Sequence, residues 1–135
     1  MVSISATYVG PKRCKLEHEE GLILATDAPK DIGGNASAFS PTDLVASGLA
    51  SCILTTIGMY AERHGLDITG ATAFVTKEMT SDPRRIGKLP VTVVLPAALP
   101  EDIRPALERV GRLCPVHATL HPDVEAPIDY QYKSI

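Results

Sequence analysis

Three cysteines, at positions 14, 52 and 114, are the residues with the most obvious chemistry in this chain. A thiolate is a nucleophile, a redox centre and a metal ligand, and its reactivity depends on what surrounds it. Cys52 lies inside a long uncharged segment. Packing alone can account for a cysteine there, since free Cys behaves as a small hydrophobe. Its neighbours at helical spacing are small or hydroxylated, however: Gly48 one turn before and Thr55-Thr56 one turn after, which leaves room beside the sulfur. Cys114 stands directly before Pro115. A cysteine at a helix N-terminus has its thiolate stabilised by free N–H groups and the helix dipole, and a protonated His117 adds to this. Cys114, His117 and His121 also carry the spacing C-x2-H-x3-H, which could give three ligands on one helical face, with no second cluster to supply a fourth. Packing, redox chemistry and metal binding are therefore all open for Cys114. Cys14 sits between Arg13 and Lys15 with no visible partner and reads as structural.

The elements that position these thiols follow from periodicity and punctuation. Ser40-Pro41-Thr42-Asp43 has the form of a helix start, with Ser40 as N-cap, Pro41 at the first helical position and Asp43 completing a capping box. The helix is expected to run to about His64, where Gly65 supplies the left-handed stop. At 1.5 Å per residue that is roughly 36 Å, against a radius of gyration of about 14 Å for a domain of this size. Leu44 to Ala61 carries no charge. The length approaches that of a membrane span, but the serines, threonines and glycines dilute its apolarity and argue against one. A helix without a charged face is buried all round. A small domain can hardly surround it, so a second subunit is expected to cover part, which predicts an obligate homodimer.

Before this helix, Val2, Ile4, Ala6 and Tyr8 alternate as one face of a strand, Gly10-Pro11 marks a turn, and Arg13–His18 and Leu22–Thr26 read as two further strands of an antiparallel meander. Asp27 to Phe39 is a long loop. After the helix, Ile68–Met79 and Gly87–Leu95 read as a hairpin, Pro100–Leu113 as an amphipathic helix starting a little after Pro100, Cys114–Leu120 as a short helical turn, and Ala126–Tyr132 as a closing strand. Strands and helices are segregated, the mark of an α+β fold, here with antiparallel sheets around a long central helix. The length of 135 residues fits one domain over residues 1–135.

Composition narrows the function. Thirteen basic residues against sixteen acidic ones give a net charge of −3, which argues against nucleic acid as a partner. With no Trp, two Phe and four Tyr, base-stacking platforms are not expected either. An odd, widely spaced cysteine set is not a secreted disulfide framework, and the N-terminus lacks a secretory pattern, so a cytoplasmic location is expected.

Ser40-Pro41-Thr42-Asp43-Leu44-Val45-Ala46, then Gly48-Leu49-Ala50-Ser51-Cys52, resembles the central-helix signature of the OsmC/Ohr family, the osmotically induced and organic hydroperoxide resistance proteins. Cys114-Pro115 resembles its second cysteine, and Thr26-Asp27-Ala28-Pro29 with Gly33-Gly34 resembles an OsmC-like subgroup. The resemblance spans essentially the whole chain. It implies an intertwined homodimer and thiol-dependent reduction of small organic hydroperoxides in oxidative stress defence. It makes Cys52 the peroxidatic thiol and Cys114 the resolving one. No cofactor is implied beyond an external dithiol or lipoyl-type reductant. It also implies an Arg from the N-terminal strands that favours the thiolate, for which Arg13 is the matching residue. In the peroxidases of the family a Glu after the helix-starting Pro orients this Arg, whereas here the position is Thr42. By helical geometry Asp43 lies about 180° from Cys52 and cannot easily replace that Glu. Glu17, Glu19, Glu20 and Asp31 are the candidates for a substitute. The departure keeps a second reading in play, a non-catalytic dimeric protein of this fold that binds a small molecule.

Overall fold

The computed structural model describes all residues from Met1 to Ile135, which divide into two compact units, Met1–Val45 and Ala46–Ile135. The first unit is a meander of β1 (Ile4–Tyr8), β2 (Arg13–His18) and β3 (Ile23–Asp27), paired antiparallel in the order β1-β2-β3. The register places Ile4, Ala6, Tyr8, Cys14, Leu16 and Leu24 on one face and Arg13, Lys15, Glu17 and Asp27 on the other. The expected alternation is thus present. The apolar face is nevertheless open: Ile4, Tyr8 and Leu24 are all more than half exposed, around a depression of about 180 Å³ lined by Ile4, Leu16, His18, Leu22 and Leu24. The 28–39 loop contains one 3-10 turn at Lys30–Ile32.

Helix α1 (Pro41–Arg63) begins in the first unit and runs through the second. Its start is the expected capping box: the Asp43 N–H donates to Ser40 Oγ at 3.1 Å, and the Ser40 N–H to Asp43 Oδ2 at 2.9 Å. Its end is Gly65 at φ +68°, with the Leu66 N–H closing on the Ala61 carbonyl. His64 serves this end, its Nδ1 lying 2.9 Å from the Tyr60 carbonyl oxygen.

Within the single chain α1 is buried on one side only, in keeping with the expectation that one small domain cannot surround it. Burial is confined to the stripe Ala46, Leu49, Ile53, Ile57 and Ala61, while Val45, Ser51, Thr55 and Met59 are exposed. The 3.6-residue period aims one stripe at the core and leaves the opposite faces open. By length and composition α1 passes for a membrane span, with a mean hydropathy of 1.6 over its best window. Its buried stripe is what the core helix of a globular protein shows.

The core belongs to the second unit. There the stripe of α1 packs with Leu89, Val91, Val93, Leu95, Leu99, Leu107 and Cys114. The two strands expected on either side of the Ser81–Arg85 turn are each broken in two: β4 (Thr72–Val75) and β5 (Glu78–Ser81), then β6 (Arg84–Lys88) and β7 (Val91–Pro96). Pro90 has no N–H to give a ladder and sits at one break, and a register shift at Glu78/Met79 marks the other. β4 and β7 pair with β8 (Ile128–Lys133) in the order β4-β7-β8, and β5 pairs with β6 alone.

The β7–β8 pair is parallel, a departure from the antiparallel sheets expected. The cause is the connection: a 3-10 turn (Glu101–Ile103), α2 (Arg104–Arg112) and α3 (Pro115–Thr119) intervene, and a crossover of this length returns the chain in the same direction. Gly111 lets α2 approach closely. A Cβ there would collide with the Tyr130 hydroxyl on β8 and come within 3.1 Å of Ile57 Cδ1 on α1.

Candidate functional site

Cys52 and Cys114, sixty-two positions apart in the chain, meet in the second unit. α1 carries Cys52 at the edge of its buried stripe, immediately before Ile53, so the thiol is half-buried. Cys114 is fully buried and caps α3, its backbone extended at φ −60° and ψ 141°. Its Sγ accepts the His117 N–H at 3.3 Å, the geometry that Cys-Pro at a helix start predicts. Pro115 at the first helical position needs no acceptor for an N–H and fixes this turn.

Cys52 packs against the core cluster that contains Cys114, close enough for the two thiols to influence each other. Burial pushes the Cys114 thiol above its ordinary range. The His117 N–H opposes this, and the proximity of Cys52 raises it further. Cys114 is therefore a protonated thiol at neutral pH. The helix N-terminus that the sequence points to is present, but desolvation outweighs it. The arrangement is asymmetric: one thiol that solvent and small molecules can reach, backed by a second, neutral thiol nearby.

The histidines do not join them. His117 Nε2 lies 3.0 Å from the Ala126 carbonyl oxygen, and exposed His121 accepts the Asp123 N–H on Nδ1. The helical face expected to gather Cys114, His117 and His121 ends too early, since α3 stops at Thr119. No group of three or more His, Cys, Asp or Glu side chains is placed to hold a metal ion. Cys14 is half-buried on the apolar face of the first unit's sheet.

Arg13 belongs to the first unit, where its exposed guanidinium donates to the Gly10 carbonyl at 3.3 Å. Among the acids considered as its partner, Glu17 pairs with Lys15 at 3.0 Å and Glu19 takes the Ser3 N–H. Thr42 Oγ1 lies 3.3 Å from the capping Ser40 hydroxyl. Two features escaped the sequence reading. Asp27 is a buried carboxylate at the end of β3. Tyr130 and Tyr132, expected only to pack, both donate to Glu108, one to its carbonyl at 2.9 Å and the other to its carboxylate at 3.0 Å. Along α1, one turn beyond Cys52, an open groove of about 310 Å³ is lined by Leu54, Thr55, Gly58, Glu62 and Ile68.

A long core helix carrying Cys52, a helix cap at Cys114 and the surrounding sheets define an α+β protein. The sequence pattern of the family described as OsmC-like protein matches residues 33–128, across both units, and the chain belongs to that family. No curated protein matches it. Among solved structures, it is similar to a protein of Psychrobacter arcticus 273-4 assigned to the osmotic stress induced and detoxification response (37% identity, 96% of each chain covered, TM-score 0.90). It shares its fold with an OsmC-like protein from Mycoplasma pneumoniae (20% identity, 98% and 96% covered, TM-score 0.82). The same holds for an organic hydroperoxide resistance protein from Legionella pneumophila (20% identity, 97% and 96% covered, TM-score 0.75).

Proposed function

We propose that the protein is a cytoplasmic thiol peroxidase that reduces organic hydroperoxides, with Cys52 as the attacking thiol and Cys114 as the resolving one. The observation that carries this reading is the placement of the two thiols in one core cluster, Cys52 partly exposed and Cys114 buried and protonated. In the first step the Cys52 thiolate attacks the distal peroxide oxygen. The O–O bond breaks, the alkoxide takes up a proton and leaves as the alcohol, and Cys52 becomes a sulfenic acid. The Cys114 sulfur then attacks the Cys52 sulfur. An S–S bond forms, the S–O bond breaks, and the hydroxyl departs as water with the Cys114 proton. Two thiols have been oxidised and one hydroperoxide reduced. An external dithiol restores both by exchange. Arg13 has the role of favouring the Cys52 thiolate.

The active form is a homodimer. The open apolar face of the β1–β3 sheet and the uncovered side of α1 support this, since contiguous exposed apolar surface marks an interface. Sedimentation should give twice the 14.4 kDa chain mass.

Consumption of an alkyl hydroperoxide with excess dithiol tests the chemistry. Wild type turns over, and Cys52→Ser does not. Cys114→Ser, treated with hydroperoxide in the absence of dithiol, consumes one equivalent and leaves a sulfenic acid that dimedone traps. A Cys52→Ser variant as active as wild type would sink the proposal. The second reading, a binding protein without turnover, draws on Thr42 in place of an acid and on the groove along α1. It predicts no consumption by any variant and a small molecule retained in native mass spectrometry.

A further inference from the structure

Asp27 is 1% exposed, and its Oδ1 is buried without a hydrogen-bond partner. The 28–39 loop accounts for the other oxygen: Oδ2 accepts the Ser37 N–H at 2.9 Å and the Ser37 hydroxyl at 2.7 Å. The Ser37 bonds foremost, aided by the nearby Asn35 and Ala28 N–H groups, which form no hydrogen bond of good geometry to Oδ1, hold the carboxyl below its ordinary range, so Oδ1 belongs to a carboxylate. A buried carboxylate oxygen without a donor is costly and calls for a cation or a donor that comes to it.

The register says which. Arg13 and Asp27 are directly opposed in the β2–β3 pair. The Ala28 N–H bonds the Lys12 carbonyl beside them at 3.1 Å, and the Asp27 N–H turns away to Phe39, so this is a non-hydrogen-bonded pair. In such pairs the Cα atoms approach to about 4.5 Å and the side chains share a face at close range. The other cation on this face of β2, Lys15, is tied to Glu17. Lys12 alternates to the other side and lies along Gly33. Lys30 and Asp31 lie in the 3-10 turn of the loop. Arg13 has only a long bond to a carbonyl, which a guanidinium with five donors gives up or shares easily.

We infer that Asp27 is the positioning residue for Arg13: its Oδ1 receives the guanidinium and fixes its direction, a role for which position 42 of this chain offers Thr and no acid, while Asp43 is taken up in the capping box. The inference deepens the peroxidase reading and rests on it for Arg13's purpose. The Asp27–Arg13 pair itself can be tested apart from activity.

The experiment titrates the Asp27 side-chain carboxyl by 13C NMR in the full-length protein. Arg13 is exposed, so Arg13→Gln should fold. The Asp27 midpoint is expected to rise by about one unit in this variant and to stay in place in Lys12→Met. An unmoved midpoint in Arg13→Gln overturns the inference, whatever the enzyme does. A second measurement follows the pH dependence of Cys52 alkylation in Arg13→Gln, Asp27→Asn and Asp27→Glu. A shift toward higher pH in the first two, with partial return in Asp27→Glu, joins the pair to the thiol. A coupled pair with an unmoved alkylation profile keeps Asp27 as Arg13's partner and instead refutes the assignment of Arg13 to Cys52.

Discussion

In Ala46–Ile135 the buried residues are aliphatic side chains and one cysteine, whereas in Met1–Val45 they are Thr26, Asp27 and Ser40. The first unit encloses polar groups and leaves Ile4, Tyr8, Leu22, Ile23 and Leu24 in the open, while the second has an ordinary core. Burial of apolar surface is the dominant favourable term in folding. The second unit therefore holds the stabilising packing of the chain, and the first holds most of its unused apolar surface and its buried charge. The proposed dithiol sits in the second unit and the proposed Arg13–Asp27 pair in the first. A rigid core suits two sulfurs that must meet, and a hydrogen-bonded loop suits a charge that must be aimed.

The largest effect expected is in the core. Ile57 is fully buried on α1 against Gly111 of α2, so Ile57→Ala should cost about 2–5 kcal/mol through lost burial and a cavity. Urea unfolding measures it. A loss under about 0.5 kcal/mol would mean that the second unit is not the stabilising one.

The matching truncation in the first unit, Leu24→Ala, should barely change the unfolding of dilute single chains, because Leu24 is 59% exposed. It should weaken self-association at least tenfold, since removing buried methylenes at about 0.8 kcal/mol each from both copies exceeds the 1.4 kcal/mol that tenfold requires. Sedimentation equilibrium checks this, and an unchanged dissociation constant would place the dimer contact elsewhere. Ser40→Ala lies at the junction of the two behaviours. It removes the acceptor for the Asp43 N–H and should cost about 1 kcal/mol.

How much of this was legible beforehand depends on the range of the interactions involved. The capping box, the Gly65 stop, Cys114 as a helix cap and the alternation of β1 are local, within a few residues, and all are present as read. The OsmC-like fold and the family were legible from the Ser40–Cys52 and Cys114-Pro115 motifs. The parallel return of β8 was not, because both faces of a short strand look alike in sequence whichever way it pairs. The length and helical content of the 97–127 connection were the available signal. That one domain cannot cover α1 was legible from its length, but which side stays open was not, because an uncharged helix has no polar face to mark it. Asp27 was missed because a carboxylate at a strand end looks solvated until the loop that returns Ser37 to it is seen.

The remaining effects are those of single protons, which surface only at the extremes of pH; the pKa values are mostly raised in the second unit and lowered in the first. In the second unit Cys114 is raised by burial, Tyr130 is pushed up to about 12 by burial, and Tyr132 is raised by burial and its bond to Glu108. A raised value means that the native state holds its proton more tightly than the unfolded chain. The stability from these groups is complete below the unfolded values of 9.0 for the thiol and 10.0 for the phenols, and is lost as pH climbs through the folded ones. In the first unit Asp27 is lowered by Ser37, so its contribution is complete above 3.8 and is lost as pH falls through the folded value. Asp67, lowered by Thr69 in the turn after α1, adds an acid-sensitive group in the second unit. Denaturation midpoints should therefore decline above about pH 9 and below about pH 4. Tyr130→Phe should flatten the alkaline decline and leave the acid one. Asp27→Asn should flatten the acid decline and leave the alkaline one, with Asp67→Asn accounting for the part that remains. If Asp27→Asn left the acid decline intact and Asp67→Asn abolished it, both declines would arise in the second unit, and the contrast between a core that fails in alkali and a loop that fails in acid would be wrong.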